Sequence, residues 1–331
     1  MKTILLSIIA LCSTVAAWAQ NELATAVLHH ESQTTLFTGS NALVMAYEAA
    51  VDGDVITLSS GSFVAPVIAK AVSIYGSGCE GDATTQRNPT YITGEFTIKT
   101  SDSSTLSNIH LEGIQFCEKV NCSTPLENFV VEKCRMNKEF YFYADNNNTT
   151  ISNCVVLNHI YANSGETTNC LIKNTYISEY VRLISTEDSV NIDHCVIADR
   201  GTGPHNITNS IFTYKYKGNL SMLVDSPLSQ PYETKVSNCL FVSDEPTLPF
   251  DFPNCYIVDN AVLIFSDSKA GTYTEDRTFE IVKPDLWIGT DNHEIGIRYG
   301  WSKLASSIEP TGVDISLSGN NLTIQYQQQK K

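Results

Sequence analysis

Residues 151–156 read Ile151-Ser152-Asn153-Cys154-Val155-Val156. The same phrase returns as Ile192-Asp193-His194-Cys195-Val196-Ile197, Ile207-Thr208-Asn209-Ser210-Ile211-Phe212 and Val236-Ser237-Asn238-Cys239-Leu240-Phe241. Its form is apolar, any, Asn-like, small, any, apolar, and looser versions run over 111–116, 131–136, 172–177 and 252–257. The fourth positions are Ile114, Cys134, Cys154, Thr175, Cys195, Ser210, Cys239 and Cys255, separated by 20, 20, 21, 20, 15, 29 and 16 residues. Four near-equal intervals in succession mark a solenoid, in which each repeat stacks on the next to bury a continuous core.

The residue types choose among solenoids. Val, Ile, Tyr and Phe alternate with polar residues over short stretches, the period of β-strands, and the region lacks the longer 3.6-period runs of helical repeats. Leucine-rich repeats share the period, but their Leu-x-x-Leu-x-Leu frame is missing. A parallel β-helix remains, with coils about 4.8 Å apart and equivalent residues piled into columns. Asn153, Asn174, Asn209, Asn238 and Asn254 then form one column at a sharp turn, where Asn tolerates the left-handed backbone and its amide can bond the neighbouring level.

Both ends fit this reading. Ser40 is placed to cap a helix through Leu43, Tyr47, Ala50 and Val51 that covers the open sheet edge of the first coil. Asp52-Gly53-Asp54 stops it, and Val55-Ile56-Thr57-Leu58 starts a strand. Far downstream, Val313 to Leu317 and Leu322 to Tyr326 flank Ser318-Gly319-Asn320-Asn321, which predicts a β-hairpin.

The opening, from Ala42 through the Asp-Gly-Asp turn to Gly61-Ser62-Phe63, resembles the N-terminal cap and first coil of the pectin-lyase-like superfamily. Lys70-Ala71-Val72-Ser73-Ile74-Tyr75-Gly76-Ser77-Gly78 is similar to that group's next coil. Phe279 to Gly296, with Gly289, Asp291 and Ile295-Gly296, is similar to the closing coil of many exported bacterial members. The resemblance implies an all-β, right-handed parallel β-helix over 36–300, with a capping helix and a C-terminal β tail over 301–331. It leaves activity open, because that superfamily includes lyases, hydrolases, esterases and non-catalytic proteins. The aspartate cluster of pectate lyases and the polygalacturonase motifs are not evident.

Residues 1–19 read as a secretory signal: Lys2, the apolar stretch Ile4 to Val15, and Ala17-Trp18-Ala19 before Gln20. Cleavage after Ala19 is expected, leaving a lead-in over 20–35 and a protein that is secreted, periplasmic or on the cell surface. No later apolar run is long enough for a transmembrane segment. The chain has 331 residues with 36 acids against 21 bases, a net charge of −15. That balance argues against nucleic acid as a partner, since phosphate binding needs a basic footprint. No cofactor motif appears: a phosphate-cradling glycine loop, a Gly-x-Ser-x-Gly turn and Asp-rich calcium repeats are all missing. His29-His30 lacks partners at zinc spacing, so no metal site is expected.

The period also aligns the strand that follows the phrase. With Phe140 and Phe142 inward beside Ile160 and Ala162, then Val181 and Leu183, the outward residues fall into columns. These are Lys119, Glu139, His159 and Tyr180; Asn121, Tyr141, Tyr161 and Arg182; and Tyr143 with Asn163. The resemblance places the substrate groove of polysaccharide-active members on this sheet. Tyr141, Tyr143, Tyr161 and Tyr180 could offer flat faces to sugar rings, and Lys119, Arg182 and His159 could pair with a uronate or sulfate. A lyase could use His159 or Tyr161 as base with Arg182 neutralising the carboxylate. A hydrolase would need a second acid beside Glu139, for which only Asp145 and Glu179 are near. The alternative is a solvated sheet face whose side chains simply pack well on strands. Three readings therefore stand: a polysaccharide-binding or scaffold protein, a polysaccharide lyase or glycoside hydrolase, and a surface spacer without ligand.

Ten cysteines in an exported chain first suggest a disulfide framework. The register suggests otherwise, because the position of Cys134, Cys154, Cys195, Cys239 and Cys255 also accepts Ile, Thr and Ser, and parallel Cβ vectors suit bridging poorly. A ladder of buried thiols packed as small hydrophobes is expected. Cys79, Cys117 and Cys122 fall outside it, and Cys117 with Cys122 is the local pair to test.

Overall fold

The structure is a computed structural model that describes residues 24–81, 88–186, 188–202, 205–216, 234–243, 252–275, 277–297, 310–318 and 321–328. The expected signal segment and its cleavage site after Ala19 lie outside the described residues. A central coil shows how the phrase folds. Thr150–Ser152 joins sheet A, Val155–Val156 sheet B, Ile160–Ala162 sheet C and Thr167–Thr168 sheet D, and Cys170–Lys173 re-enters sheet A one level up. Repetition gives a parallel β-solenoid of about eight turns, with sheets of eleven, ten, seven and four strands. Levels pair in register, as Val131 with Ile151 and Phe140 with Ile160. The exception is the N-terminal hairpin of Thr25–His30 and Gln33–Thr38, which adds antiparallel to Val55–Leu58.

Period-2 alternation sends one side of the coil strands inward. Leu111, Val131, Ile151, Ile172 and Ile192 form one fully buried column, and Phe116, Met136, Val156, Ile177 and Ile197 another. Phe140, Phe142, Ile160, Ala162, Val181 and Leu183 are buried as the alignment requires. The third position of the phrase is left-handed at Asn153, Asn174, Asn209, Asn238 and Asn254, with φ between 50° and 54°. Lys133 and His194 occupy the same position with φ of 49° and 51°. Amide bonding along this column is partial: Asn174 donates to Asn153 at 2.6 Å, but Asn209 donates to Asp193 at 2.8 Å. A second left-handed column, Asn108, Asn128, Asn148 and Asn169, turns sheet D into sheet A. There Asn128 donates to Asn108 at 3.0 Å and Asn148 to Asn128 at 2.6 Å.

The fourth position explains its own residue choice. Cys195 Sγ lies 3.3 Å from the Asp193 carbonyl, and the Cys195 amide donates to Ser210 Oγ on the next level at 3.1 Å. Thr175 and Ser210 donate to the matching carbonyls two residues back at 2.8 Å. From Cys134 onward this position therefore takes a small side chain that can both donate and accept, while the earliest level has Ile114, and the cysteines act there as weak polar groups as well as packing groups. All nine described cysteines are free, Cys117 and Cys122 included. Cys122 points into the core while Cys117 sits half-buried on the turn before it. Cys170 also stands outside the ladder, buried in the column of Phe129 and Val190.

The two ends hold corrections. The helix spans Ala42–Ala49 and buries Ala42, Leu43, Ala46 and Tyr47. Its N-cap residue is Asn41 rather than Ser40, without a side-chain cap bond, and the Ser40 carbonyl instead accepts from Val64. Val51 lies outside the buried face, half exposed. The segment expected as a closing coil adds no rung. Residues 261–275 and 277–297 instead form a strap, with a short 3-10 turn at Ala261–Leu263 and isolated antiparallel bridges Phe265–Ile281 and Ile288–Glu294. The strap packs Phe265, Phe279, Ile281, Trp287 and Ile295 on the outward residues of sheet B, among them Val155, Tyr176, Val196 and Ile211. Arg277 fastens it: its guanidinium lies 4.5 and 4.3 Å from the Phe265 and Phe279 rings, reaches Asp267 at 3.0 Å and donates to the carbonyls of Ala270, Thr272 and Lys269. The expected hairpin forms from Pro310–Ser318 and Asn321–Gln328.

Candidate functional site

Sheet C presents the outward columns in the order that the period predicts. Asn121 pairs with Tyr141, Tyr141 with Tyr161, and Tyr161 with Arg182 on successive levels. Two residues earlier on the same outward face stand Lys119, Glu139, His159 and Tyr180, and the next level adds Arg200 opposite Tyr180. Short strands between turns fix each side chain outward, so neighbouring levels bring the rings into contact.

The rings form one wall. Tyr141 meets Tyr161 edge-on at 5.9 Å between centroids, and Tyr161 meets Tyr180 at 6.4 Å. His159 sits among the three, stacked on Tyr180 at 4.6 Å with 11° between planes, and edge-on to Tyr141 and Tyr161. Tyr143 extends the wall 5.5 Å from Tyr141 and is the most open of the four tyrosines. The rings of three successive levels each hold a cation that comes from a neighbouring level. Lys119 Nζ is 5.6 Å from the Tyr141 centroid, Arg182 Cζ 5.4 Å from Tyr161, and Arg200 Cζ 6.0 Å from Tyr180. Such contacts hold a cation at the surface while leaving its outer hydrogen-bond donors free for an anion. Arg200 was not among the sequence candidates, although its spacing of 20 from Tyr180 places it in the same column.

The acids surround this wall rather than opening it. His159 Nδ1 lies 3.2 Å from Glu179 Oε2, and His159 Nε2 lies 3.3 Å from Tyr141 Oη. A neutral imidazole satisfies both contacts by donating from Nδ1 and accepting the phenol proton at Nε2, a tautomer assigned from the partners. Burial, with Glu139 and neighbouring phenols behind it, raises the Tyr141 pKa, so that phenol stays protonated. Burial likewise raises Tyr180. Glu139 is paired at 3.9 Å with Lys119. Asp145 lies beyond the wall, where its carboxylate accepts from the Glu166 amide at 2.8 Å. Glu139 and Glu179 thus flank the rings, and Asp145 belongs to a separate surface beside sheet D with Glu127 and Glu166.

The arrangement therefore offers flat apolar surface and fixed cations, while the imidazole proposed as a base is enclosed by three rings, with both nitrogens engaged. Asn163, at the edge of the wall, is exposed. No family model matches this chain, and no curated protein matches it in sequence.

Proposed function

We propose that this protein is exported and holds polysaccharide along the outer face of sheet C. The observation that carries the reading is that the tyrosines of three successive levels each hold a cation from a neighbouring level: Tyr141 holds Lys119 of the level below, and Tyr161 and Tyr180 hold Arg182 and Arg200 of the levels above. Coils repeat about every 4.8 Å, so a chain of sugar rings lying along the solenoid would meet the same aromatic and cationic features repeatedly. Tyrosine supplies large contact area at small entropic cost, and guanidinium and ammonium groups select acidic sugars. A protein with a net charge of −15 repels a polyanion elsewhere, so local cations define where such a chain can settle.

Binding is favoured over bond cleavage by the state of the ionisable groups. A lyase base has to reach a sugar proton, yet His159 is 12% exposed and engaged on both nitrogens, and the Tyr141 phenol is held protonated. The test is a panel of neutral, uronate-containing and sulfated polysaccharides, read by affinity electrophoresis. The wild type should be retarded by acidic polymers, and the triple variant Y141A/Y161A/R182A should lose that retardation while its melting temperature stays within about 5 °C, since the three side chains are outward-facing. A wild type that no polymer retards sinks the glycan reading and leaves the spacer. A rise in ultraviolet absorbance from unsaturated products in the same incubations would instead establish a lyase.

A further inference from the structure

The outer face of sheet A carries a second cluster, unrelated to the aromatic wall. His110 and Glu112 lie two residues apart on the strand His110–Glu112 and so share a face, and Glu132 pairs with Glu112 on the next level. One nitrogen and two carboxylate oxygens from these residues all lie within 4.8 Å of one another. His110 Nδ1 is fixed by Tyr75 Oη at 3.2 Å, on the level below, and the two rings meet edge-on at 5.0 Å. That contact turns Nε2 toward Glu112, 3.6 Å from Oε2, where the atom is buried and has no hydrogen-bond partner. Glu112 is 2% exposed, a depth at which a carboxylate requires a cation.

Lys133 now supplies that cation, with Nζ 3.1 Å from Glu112 and 3.9 Å from Glu132. Its position is unusual, for Lys133 occupies the left-handed turn column that is Asn on most other levels. A long flexible ammonium can swing out to solvent, which a fixed ligand cannot. The two carboxylates would then face one another with the free imidazole nitrogen beside them.

We propose that His110, Glu112 and Glu132 form a binding site for a divalent transition-metal ion of the zinc and manganese class, which Lys133 occupies in its place when metal is absent. One imidazole and two carboxylates favour this class over calcium or magnesium, which take oxygen alone. Metal–ligand distances of about 2.0–2.2 Å put tetrahedral donors about 3.4 Å apart, so small rotamer changes close the cluster. Tyr75 then acts as the outer partner that orients the histidine. Because Glu112 and Glu132 belong to neighbouring levels, the ion would also tie adjacent coils together.

Isothermal titration of the full-length, metal-stripped protein with zinc and manganese chloride tests this. One equivalent should bind, H110Q should weaken binding at least about tenfold, and K133N should tighten it by removing the competing ammonium. Both substitutions fall on partly exposed side chains, and unchanged circular dichroism would confirm that they fold. Cobalt substitution separates this site from thiols: the expected spectrum has d–d bands without thiolate charge transfer. Absence of stoichiometric binding, equal affinity of wild type and H110Q, or a thiolate band would each overturn the assignment.

Discussion

Alkaline pH is the sharpest probe of this fold, because seven cysteines (Cys79, Cys122, Cys134, Cys154, Cys170, Cys195 and Cys239) are buried as free thiols. Burial pushes Cys154, Cys170 and Cys195 up to about 12, and raises the other four as well. An unfolded thiol titrates near about 8.5–9. A group whose folded pKa is raised stabilises fully below its unfolded pKa and loses that contribution as pH climbs toward the folded one, because only the unfolded chain releases its proton. At pH 10 the loss is about 1.4–2 kcal/mol per thiol, or about 10–14 kcal/mol for the seven, comparable to the whole stability of a typical domain at about 5–15 kcal/mol. Far-ultraviolet circular dichroism of the reduced protein should therefore show cooperative loss of β-structure at about pH 9.5–10.5. Replacing Cys134, Cys154 and Cys195 with serine removes three of the seven groups and should flatten the pH slope by somewhat under half. A native spectrum retained beyond about pH 11 would refute the argument, as would bridged cysteines in a non-reducing peptide map.

Two further outcomes follow from the turns and the strap. Asn148, at φ 53° with its amide on Asn128, should tolerate glycine at a cost of about 1 kcal/mol and alanine at about 2–3 kcal/mol, because glycine loses only the hydrogen bond and alanine also strains the left-handed turn. Urea melts of the two variants check this, and equal costs would show that the ladder amide alone matters. Arg277→Ala removes the pin between Phe265 and Phe279 and takes a donor from the Lys269, Ala270 and Thr272 carbonyls, of which Ala270 keeps the Thr272 amide, a loss of about 3 kcal/mol. Limited proteolysis should then cut within 261–297 well before the coils, and an unchanged digestion pattern would place the strap's hold in its apolar contacts instead.

The coils were legible because stacking repeats one environment about every twenty residues, and columns that share an environment converge on similar side chains. Columns with fewer demands were harder to see. The second asparagine ladder at Asn108, Asn128, Asn148 and Asn169 keeps the same spacing, but it sits beside a two-residue strand with little apolar signal to frame it. The resemblance of Phe279 to Gly296, with Gly289, Asp291 and Ile295-Gly296, to a closing coil does not reveal the strap, whose Phe279, Ile281, Trp287 and Ile295 are buried on the outside of sheet B. The clue lay in the fifth position of the phrase. It is Gln115 and Arg135 on early levels, then Val155, Tyr176, Val196, Ile211 and Leu240, and outward apolar residues need a cover. The His110–Glu112–Glu132 cluster escaped notice because its members are close only once two levels are stacked.

That same contrast between outer faces bears on function. On sheet B the outward Tyr176 is 2% exposed, sealed by Phe279 and by a hydrogen bond from its hydroxyl to the Gly271 carbonyl. On sheet C the outward Tyr141, Tyr161 and Tyr180 remain half-buried and Tyr143 is 39% exposed. Among the described residues one aromatic-bearing face is covered by the strap and the other is left accessible, flanked by cations. A bare spacer has no need to keep four tyrosines on one solvated face when threonine or asparagine would serve the strands as well. On the proposed reading an acidic glycan would be the cover, with sugar faces against the rings and carboxylates against Lys119, Arg182 and Arg200. The retardation assay is decisive on this point, because an aromatic face kept only for strand packing would bind neutral and acidic polymers equally poorly.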